Sequence, residues 1–257
     1  MRLRLSREGV FPIVGGGGVG ATGLGVSGTI QGEGKLAGVP SLFVRLQGCN
    51  LRCRWVMGDG RVSVCDTAHA WSGEGREVEV GEVYDVLRRN MGGMRHVVIT
   101  GGEPLMQAEA VGELIGLLRG VGIHSTVESN GIVGGVPGVL PDLLSVSPKL
   151  VSSGISDDMR RRSVRGALML TRSALAEGRD VQVKFVVCRV EDGEEIRRDY
   201  GEVLSLLGAE DVIVMPLGAE EGTLAVTRGV ALGMAIENGW RYGPRLHIDL
   251  FGNREGT

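Results

Sequence analysis

Three of the four cysteines lie close together in the sequence and could bind one metal centre. Three residues separate Cys49 from Cys53, and eleven more separate Cys53 from Cys65. Structural zinc takes four ligands, so a fourth would be needed. Neither remaining candidate stands at zinc-ribbon spacing, because His69 lies four residues after Cys65 and Cys188 is far along the chain. Three thiolates on a cubane iron–sulfur cluster would leave one iron open for a small ligand. The spacing alone leaves both a zinc site and a catalytic cluster open.

Short motifs near the cysteines and further along the chain form an ordered set. Those around the cysteines and at the end of a predicted strand are Gly48-Cys-Asn-Leu-Arg-Cys-Arg-Trp55, Cys65-Asp-Thr67 and Thr100-Gly-Gly-Glu-Pro104. They resemble the radical S-adenosylmethionine (SAM) superfamily. The others are Ile30-Gln-Gly-Glu-Gly34, Phe43-Val-Arg45, Val127-Glu-Ser-Asn-Gly131, Val146-Ser-Pro-Lys149, Arg245-Leu-His247 and Leu250-Phe-Gly-Asn253. Each motif is weak by itself, but the whole set, from residue 29 to the end, resembles the 7-carboxy-7-deazaguanine synthase family.

This resemblance implies a fold, a reaction and a set of partners. The fold would be a partial (β/α) barrel of the radical SAM type, in a homodimer. A [4Fe–4S] cluster would reduce SAM to a 5′-deoxyadenosyl radical, with an electron from a donor such as flavodoxin or ferredoxin. The substrate would be 6-carboxy-5,6,7,8-tetrahydropterin, whose ring contracts with the help of magnesium and loses ammonia. The product, 7-carboxy-7-deazaguanine, would serve deazapurines such as queuosine or archaeosine.

The resemblance also implies roles for individual residues. Cys49, Cys53 and Cys65 would hold three irons while SAM chelates the fourth, and the hydroxyl of Thr67 would bind magnesium. The residues expected around SAM are Gly101, Gly102, Glu103, Ser147, Pro148, Lys149, Met215, Pro216, Leu217 and Gly218. The residues expected around the pterin are Ile30, Gln31, Gly32, Arg45 and Thr100, with Arg45 as a bidentate fork for the carboxylate. Glu103 would meet the ammonium of SAM, and no catalytic residue is expected beyond the cluster and SAM.

Several of these residues also have a structural interpretation. Arg45 could point outward from its strand, Thr67 could be a helix N-cap or turn hydroxyl, and Lys149 could be a solvated loop charge. The other residues with such alternatives are Glu128 as a strand end, His247 as a core histidine on a strand, and Cys188 as a small buried hydrophobe. Lys184 and Gln182 share one face of a predicted strand, which indicates a barrel lumen.

The cysteine segment departs from the family, in which two residues separate the second and third cysteines. Here nine residues, 56–64, intervene between Trp55 and Cys65. Asp59-Gly60 flanked by valines predicts a short hairpin whose ends return close together. The aromatic that normally precedes the third cysteine is displaced, so either Trp55 or Val64 could pack near the adenine of SAM. At the other end of the chain, Glu255 replaces a common family Arg.

The surrounding sequence predicts the elements that must position these residues. Strand and helix patterns alternate, as in a parallel α/β sheet with its chemistry at the carboxyl ends of the strands. The predicted strands are 42–46, 96–100, 123–128, 143–147, 181–187, 211–215 and 246–250. The predicted helices are 80–90, 108–118, 157–176, 194–207 and 221–237. With no linker or repeat between them, we expect one radical SAM domain over residues 29–257, preceded by an N-terminal segment, 1–28.

Composition narrows the class of protein further. Ten of the 44 glycines fall within residues 15–34, and this content predicts a loop. The loop contains a G-x-G-x-x-G pattern at Gly18, Gly20 and Gly23, but the pattern lacks the flanking strand and helix of a dinucleotide-binding site. A net charge of −3 gives no reason to expect binding to nucleic acid or membranes. No signal peptide or membrane-length apolar run is found, so we expect a cytoplasmic enzyme. The alternatives are a radical SAM activase of a glycyl-radical enzyme and a non-enzymatic zinc-binding module.

Overall fold

The computed structural model describes residues 1–12, 28–132 and 137–254. Its strands are β1 (Arg2–Phe11), β2 (Thr29–Ile30), β3 (Pro40–Leu46), β4 (Arg54–Val56), β5 (Val62–Val64), β6 (Arg76–Glu79), β7 (His96–Gly101), β8 (His124–Ser129), β9 (Leu143–Val146), β10 (Asp180–Val187), β11 (Val212–Pro216) and β12 (Arg241–Tyr242). Its helices are α1 (His69–Ser72), α2 (Val80–Asn90), α3 (Ala108–Arg119), α4 (Asp157–Ala176), α5 (Glu191–Asp199), α6 (Gly201–Leu204), α7 (Glu221–Asn238) and α8 (Leu246–Phe251).

Ten strands form one large, mostly parallel sheet in the order β12-β11-β10-β9-β8-β7-β3-β1-β6, with β2 paired to β3. The seven strands from β3 to β12 in this order run parallel, whereas β1 is antiparallel to both β3 and β6. Within the residues described, β12 and β6 remain as two edges and the sheet does not close. The predicted α/β fold with a partial barrel is confirmed.

The parallel strands alternate between a hydrophobic face and a polar face. On β3, Leu42, Val44 and Leu46 join the main hydrophobic core, to which α2, α3, α4, α5 and α7 also contribute. Phe43 and Arg45 point to the opposite face, because successive side chains of a strand project to opposite sides. The same alternation places Thr100 on β7, Glu128 on β8 and Lys184 on β10 away from the helices. Period-two patterning therefore gathers these polar side chains on one side of the sheet.

Three predictions about individual elements were wrong or incomplete. Residues 246–250 form helix α8 instead of a strand, and the backbone N–H groups of Ile248 and Asp249 donate to the Arg245 carbonyl in its first turn. A five-residue alternating segment is too short for periodicity to decide between strand and helix. The predicted helix 194–207 is split into α5 and α6 at the buried Tyr200. Strands β1, β2, β6 and β12 were not predicted.

The N-terminal strand is part of the main sheet. Leu5, Val10 and Phe11 of β1 pair with Leu46, Val44 and Phe43 of β3. The division at residues 28 and 29 stays a prediction, and most of the glycine-rich stretch, with Gly18, Gly20 and Gly23, lies outside the described residues, as does Glu255. Of the helices described, none combines the length and apolar character that crossing a membrane requires.

Candidate active site

A cavity of about 610 Å³ opens at the carboxyl ends of the parallel strands. Its wall includes strand-end residues from β7, β8, β10 and β11, loop residues that follow β9, and the segment that carries the three clustered cysteines. Predicted site residues that line it are Ile30, Gln31, Gly32, Arg45, Cys49, Cys53, Cys65, Thr67, Thr100, Gly101, Gly102, Ser147, Lys149, Met215, Leu217 and Gly218. Residues as far apart in sequence as Ile30 and Gly218 therefore meet at one site, as expected for this end of a parallel α/β sheet.

The three cysteines are free thiols that line the same cavity. Among the described residues, no three His, Cys, Asp or Glu side chains lie close enough together to hold one metal ion. Three thiolates of a polynuclear cluster bind different irons, so they need not meet at a single point. Cys188, the fourth cysteine, is buried outside the cavity, with its Sγ 3.7 Å from the Val56 carbonyl oxygen. The donor set thus fits a cluster held by Cys49, Cys53 and Cys65.

The inserted residues form the predicted hairpin. Strands β4 and β5 pair antiparallel, with Trp55 opposite Ser63. The Cys65 N–H donates to the Cys53 carbonyl oxygen at 3.2 Å, so the hairpin brings the second and third cysteines together despite the insertion. Trp55 is buried against Cys53 and Leu217, and both Trp55 and Val64 line the cavity. Which of the two packs near adenine stays open.

Two glycines allow β7 to end against the cysteine segment. Gly101 has φ +140, and a Cβ there would collide with the Leu46 backbone. A Cβ at Gly102 would collide with the Gly48 carbonyl, directly before Cys49. Any side chain at either position would push the cysteine segment away from the strand end. The glycine pair is therefore required by packing inside the protein, in addition to any contact with SAM.

Three of the residues expected around SAM do not line the cavity. Glu103 is fully buried, and its carboxylate accepts hydrogen bonds from the Asn130 N–H (2.6 Å), the Leu105 N–H (2.9 Å) and the Ser129 hydroxyl (2.8 Å). Burial raises the pKa of this carboxyl group. Pro148 and Pro216 adjoin lining residues without lining the cavity themselves. Contact of Glu103 with the SAM ammonium stays a prediction, because in this structure its carboxylate ties the loop after β7 to the loop after β8.

A network of buried charges lies within the cavity wall. The Lys184 ammonium is 2.5 Å from the Glu33 carboxylate and 3.5 Å from Glu128. Arg245 pairs with Glu33 at 3.2 Å and with Asp66 at 2.6 Å. Burial raises the pKa of Glu33, but the charges of Lys184 and Arg245 outweigh it and hold that pKa well below the ordinary range. The network thus keeps the Glu33 carboxylate ionised although it is buried.

Polar groups beside this network form a second set of hydrogen bonds. The Glu128 carboxylate accepts from the Thr100 hydroxyl at 2.9 Å and from the Gln31 amide at 3.3 Å. Arg45 lies on the same face and forms an ion pair with Glu8 of β1. The interpretation of Arg45 as an outward residue is wrong, since it lines the cavity. The interpretation of Glu128 as a mere strand end is also wrong.

The remaining candidates, Thr67, Lys149 and His247, lie in three separate segments of the chain. Thr67 does not cap α1, and its Oγ1 lies 3.3 Å from the Cys65 Sγ. Lys149 is half-buried, and its ammonium donates to the Ser147 carbonyl and hydroxyl at 2.8 and 3.0 Å. His247 is on helix α8, not on a strand, and its ring lies against Gly32, where a Cβ would collide with it. Burial lowers the pKa of His247.

Sequence reasoning assigned no role to several charged residues of the site. Three of them belong to the motifs named above: Glu33, Asp66 and Arg245. Their ion pairs join three distant segments of the chain, so no single stretch of sequence shows a pattern that predicts the pairing. Lys184 was noted only for its strand face. Glu8 was missed because the strand that carries it was not predicted. The signal that could have found it is the alternation of apolar and polar residues over 2–6.

Comparison with known proteins identifies the family to which the chain belongs. A family model described as the Radical SAM superfamily matches residues 43–200. The 7-carboxy-7-deazaguanine synthase of Halobacterium salinarum is 38% identical over 243 residues, covering 89% of this chain and 90% of that protein. The same-named protein of Rhodopirellula baltica is 38% identical over 236 residues, covering 88% and 85%.

A solved structure supports the fold. The crystal structure of QueE from Escherichia coli aligns with a TM-score of 0.57 over 95% of this chain and 93% of that chain, at 23% identity. At this level of identity the match speaks for the fold alone, and the family follows from the two relatives that are 38% identical over most of their length. The chain therefore belongs to the 7-carboxy-7-deazaguanine synthase family of the radical SAM superfamily.

Proposed function

We propose that the protein converts 6-carboxy-5,6,7,8-tetrahydropterin to 7-carboxy-7-deazaguanine with loss of ammonia, for the biosynthesis of deazapurines such as queuosine or archaeosine. The observation that carries this proposal is the meeting, in one cavity, of three free cysteines with Arg45, Gln31 and Glu128. The cysteines suit the cluster, and the others suit a small ligand with a carboxylate and a ring rich in N–H and carbonyl groups. The ordered set of site motifs supports the same substrate.

The bound [4Fe–4S] cluster and SAM would supply the carbon radical that abstracts a hydrogen atom from the substrate. Cys49, Cys53 and Cys65 would hold the cluster as thiolates. Burial raises the pKa of the Cys53 thiol to about 11, so binding of iron must displace its proton. Residues proposed to surround SAM are Gly101, Gly102, Ser147, Lys149, Met215, Leu217 and Gly218, with Glu103, Pro148 and Pro216 as supporting neighbours.

The chain's own residues would bind and orient the pterin. Arg45 would bind the carboxylate, and Gln31, Thr100 and Glu128 would provide one connected group of donors and acceptors for the ring. Ile30 and Gly32 would complete the wall on the same loop. The apolar residues beside the cysteines would exclude water from the cluster end of the cavity, and they are Leu51, Trp55 and Leu217.

Magnesium would bind near Thr67. A hydroxyl oxygen is a hard ligand, and magnesium usually keeps several waters and substrate oxygens as its other ligands. Thr67 lines the cavity beside Asp66, whose carboxylate is held by Arg245 at 2.6 Å. The substrate carboxylate could then share its oxygens between Arg45 and the metal.

We propose three further properties of this enzyme. A flavodoxin or ferredoxin would donate the electron, because the cluster must be reduced before each radical is formed. The enzyme would act in the cytoplasm as a homodimer. Light scattering of the purified protein tests the dimer, and reduction by each candidate donor tests the electron source. A glycyl-radical activase is the weaker function, since a carboxylate-binding Arg in a small charged cavity does not suit a polypeptide substrate.

The activity can be tested in one anaerobic assay. The reconstituted protein should contain about four irons per chain. With SAM, a reductant, magnesium and 6-carboxytetrahydropterin, it should form a product with the mass and ultraviolet spectrum of 7-carboxy-7-deazaguanine. Replacing Arg45 with Ala should raise the KM for the pterin. Absence of product from wild-type protein with a full complement of iron and bound SAM would refute the proposed reaction.

A further inference from the structure

Strand β1 contains a bulge where it pairs with β3, the strand that carries Arg45. Leu5 pairs with Leu46 and Val10 pairs with Val44, so five steps along β1 correspond to two steps along β3. Gly9 within the bulge has φ +60, a left-handed conformation that favours glycine. A bulge of this kind turns side chains away from the directions that a regular strand would give them. Here it carries Glu8 to Arg45.

The carboxylate of Glu8 is buried between two basic side chains. Its Oε2 forms an ion pair with the Nε of Arg45 and lies 2.8 Å from the Nε2 of His69. Only 6% of the Glu8 side chain is exposed, against 14% for Arg45. His69 begins α1, just after the third cysteine. His69 therefore holds the Glu8 carboxylate from a second side, so Glu8 does not simply move with the Arg45 side chain.

A second residue of β1 also contacts Arg45. The guanidinium carbon lies 5.2 Å from the centre of the Phe11 ring, a distance typical of a cation–π contact. Phe11 in turn stacks on Phe43 of β3, with ring centres 5.1 Å apart. Strand β1 thus meets the guanidinium at its Nε edge through Glu8 and at its flat face through Phe11.

We propose that Glu8 is a positioning residue that orients Arg45 for a substrate carboxylate. The inference deepens the proposed function and rests on it. A guanidinium presents five N–H donors in a fixed fork. Because Glu8 takes the Nε edge, the two Nη groups are the part of Arg45 that a ligand in the cavity would meet. A long side chain fixed before binding loses less conformational freedom when the ligand arrives, so the ligand binds more tightly.

The direction in which removal of Glu8 changes the affinity for the carboxylated pterin distinguishes a positioning residue from a competitor for Arg45. Glu8 carries the same charge as the substrate carboxylate, so a competitor for Arg45 would weaken binding and its removal would strengthen it. A positioning residue has the reverse effect. The amide of Gln also offers an oxygen to Arg45 Nε, without the charge, so a positioning role should survive in part in Glu8→Gln.

The test is equilibrium binding of two stable pterins to the reconstituted, SAM-loaded protein. One is 6-carboxypterin, and the other is 6-hydroxymethylpterin, which lacks the carboxylate. Glu8→Ala should weaken binding of 6-carboxypterin by about tenfold, as expected for a charge-assisted bidentate contact, and leave 6-hydroxymethylpterin unchanged. Glu8→Gln should recover most of the loss. Glu77→Ala, which removes an exposed carboxylate on the neighbouring strand β6, is the matched control and should change neither.

The same measurement in an Arg45→Ala background shows whether Glu8 acts through Arg45. There, Glu8→Ala should have no further effect on binding, because residues that act as a unit are not additive. Equal weakening of both pterins, tighter binding of 6-carboxypterin, or an undiminished effect in the Arg45→Ala background would each overturn the inference. If wild-type protein does not prefer the carboxylated pterin, the carboxylate site and the proposed function fail together with it. If wild type and Glu8→Ala prefer it equally, the inference alone fails.

Discussion

The amino end of β7 and the carboxyl ends of the parallel strands both bury polar side chains, but in different chemical forms. At the amino end of β7, His96 lies between two hydroxyl groups, with Nδ1 2.7 Å from the Ser41 Oγ and Nε2 2.8 Å from the Thr126 Oγ1. Burial, helped by the nearby His124, lowers the pKa of His96 to about 4. The buried histidine at the amino end of β7 is therefore neutral at neutral pH.

The carboxyl ends hold ionised groups. Lys184, Glu33, Glu128, Arg245 and Asp66 are linked in one chain of ion pairs. Such a network costs desolvation energy that its own attractions only partly return, so stability does not explain its presence. Each of these side chains also borders the cavity.

The contrast indicates what each end does. Both nitrogens of the His96 ring have a hydroxyl partner within the protein, so this group has nothing left to offer a ligand. At the carboxyl end, the charges fix one another and still face the cavity, where a ligand can meet them. We infer that the amino end of β7 serves stability and that the carboxyl ends serve binding, as in other parallel α/β folds. Substitutions at the two ends should affect different measurements.

The largest effect is expected from Cys53→Ala at the carboxyl end. Loss of one of three cluster ligands should leave the reconstituted protein with little iron and no detectable deazapurine product. The fourth cysteine, Cys188, does not border the cavity and cannot replace the missing ligand. Iron analysis, the visible spectrum and the product assay measure this directly.

Cys188→Ala is the matched control for this prediction. Cys188 is buried behind the hairpin, and burial raises the pKa of its thiol to about 12. Its replacement should leave iron content unchanged. Loss of iron from Cys188→Ala, or retention of full iron in Cys53→Ala, would show that the ligand set is wrong.

An intermediate effect is expected from Lys184→Met. The variant keeps most of the side-chain volume but leaves Glu33 and Glu128 without their shared cation. Its free energy of unfolding at pH 7 should fall by about 3 kcal/mol, the usual cost of breaking a buried ion pair by removing one partner. Urea unfolding of the protein without its cluster measures this.

The double variant Glu128→Gln/Lys184→Met tests the cause of that loss. In Lys184→Met, Glu33 still pairs with Arg245, so the penalty comes from the uncompensated Glu128 carboxylate and not from lost packing. Removal of both charges should therefore restore much of the stability. A double variant that is less stable than Lys184→Met would show instead that the network stabilises the fold, and the contrast between the two ends would weaken.

The main sheet could be predicted because its strands carry their own signal. Strands β7, β9, β10 and β11 contain short runs of buried apolar residues bounded by turns, and the helices between the strands have apolar faces. Strand β1 was missed because its bulge interrupts the alternation, and Gly9 and Pro12 read as loop residues. Residues 246–250 were assigned wrongly because a short alternating segment also fits one turn and a half of helix.

The site could be predicted only where a residue stood in a recognisable motif. The cysteines, Arg45, Thr100 and Gln31 were found in this way. The ion pairs of Arg245 were not, because its partners Glu33 and Asp66 lie 212 and 179 positions away in sequence. Pairing over such distances depends on tertiary structure, and one sequence contains no record of it.

The smallest effect is expected at the amino end, from His96→Asn. Asn keeps a donor and an acceptor for the two hydroxyls but does not titrate. In wild type, the unfolded imidazole takes up a proton below its ordinary pKa of 6.5, whereas the folded one resists protonation until the pH approaches about 4. Stability is therefore lost as the pH falls through this window, and His96 should account for about 2 kcal/mol of the loss between pH 6.5 and 5. Urea unfolding at pH 7, 6 and 5 should show a shallower pH dependence in His96→Asn, with deazapurine formation at pH 7 unchanged. If the free energy of unfolding depends on pH in the same way in wild type and in His96→Asn, the buried histidine is not held neutral. Reduced deazapurine formation by His96→Asn at pH 7 would mean that this end of the sheet contributes to binding.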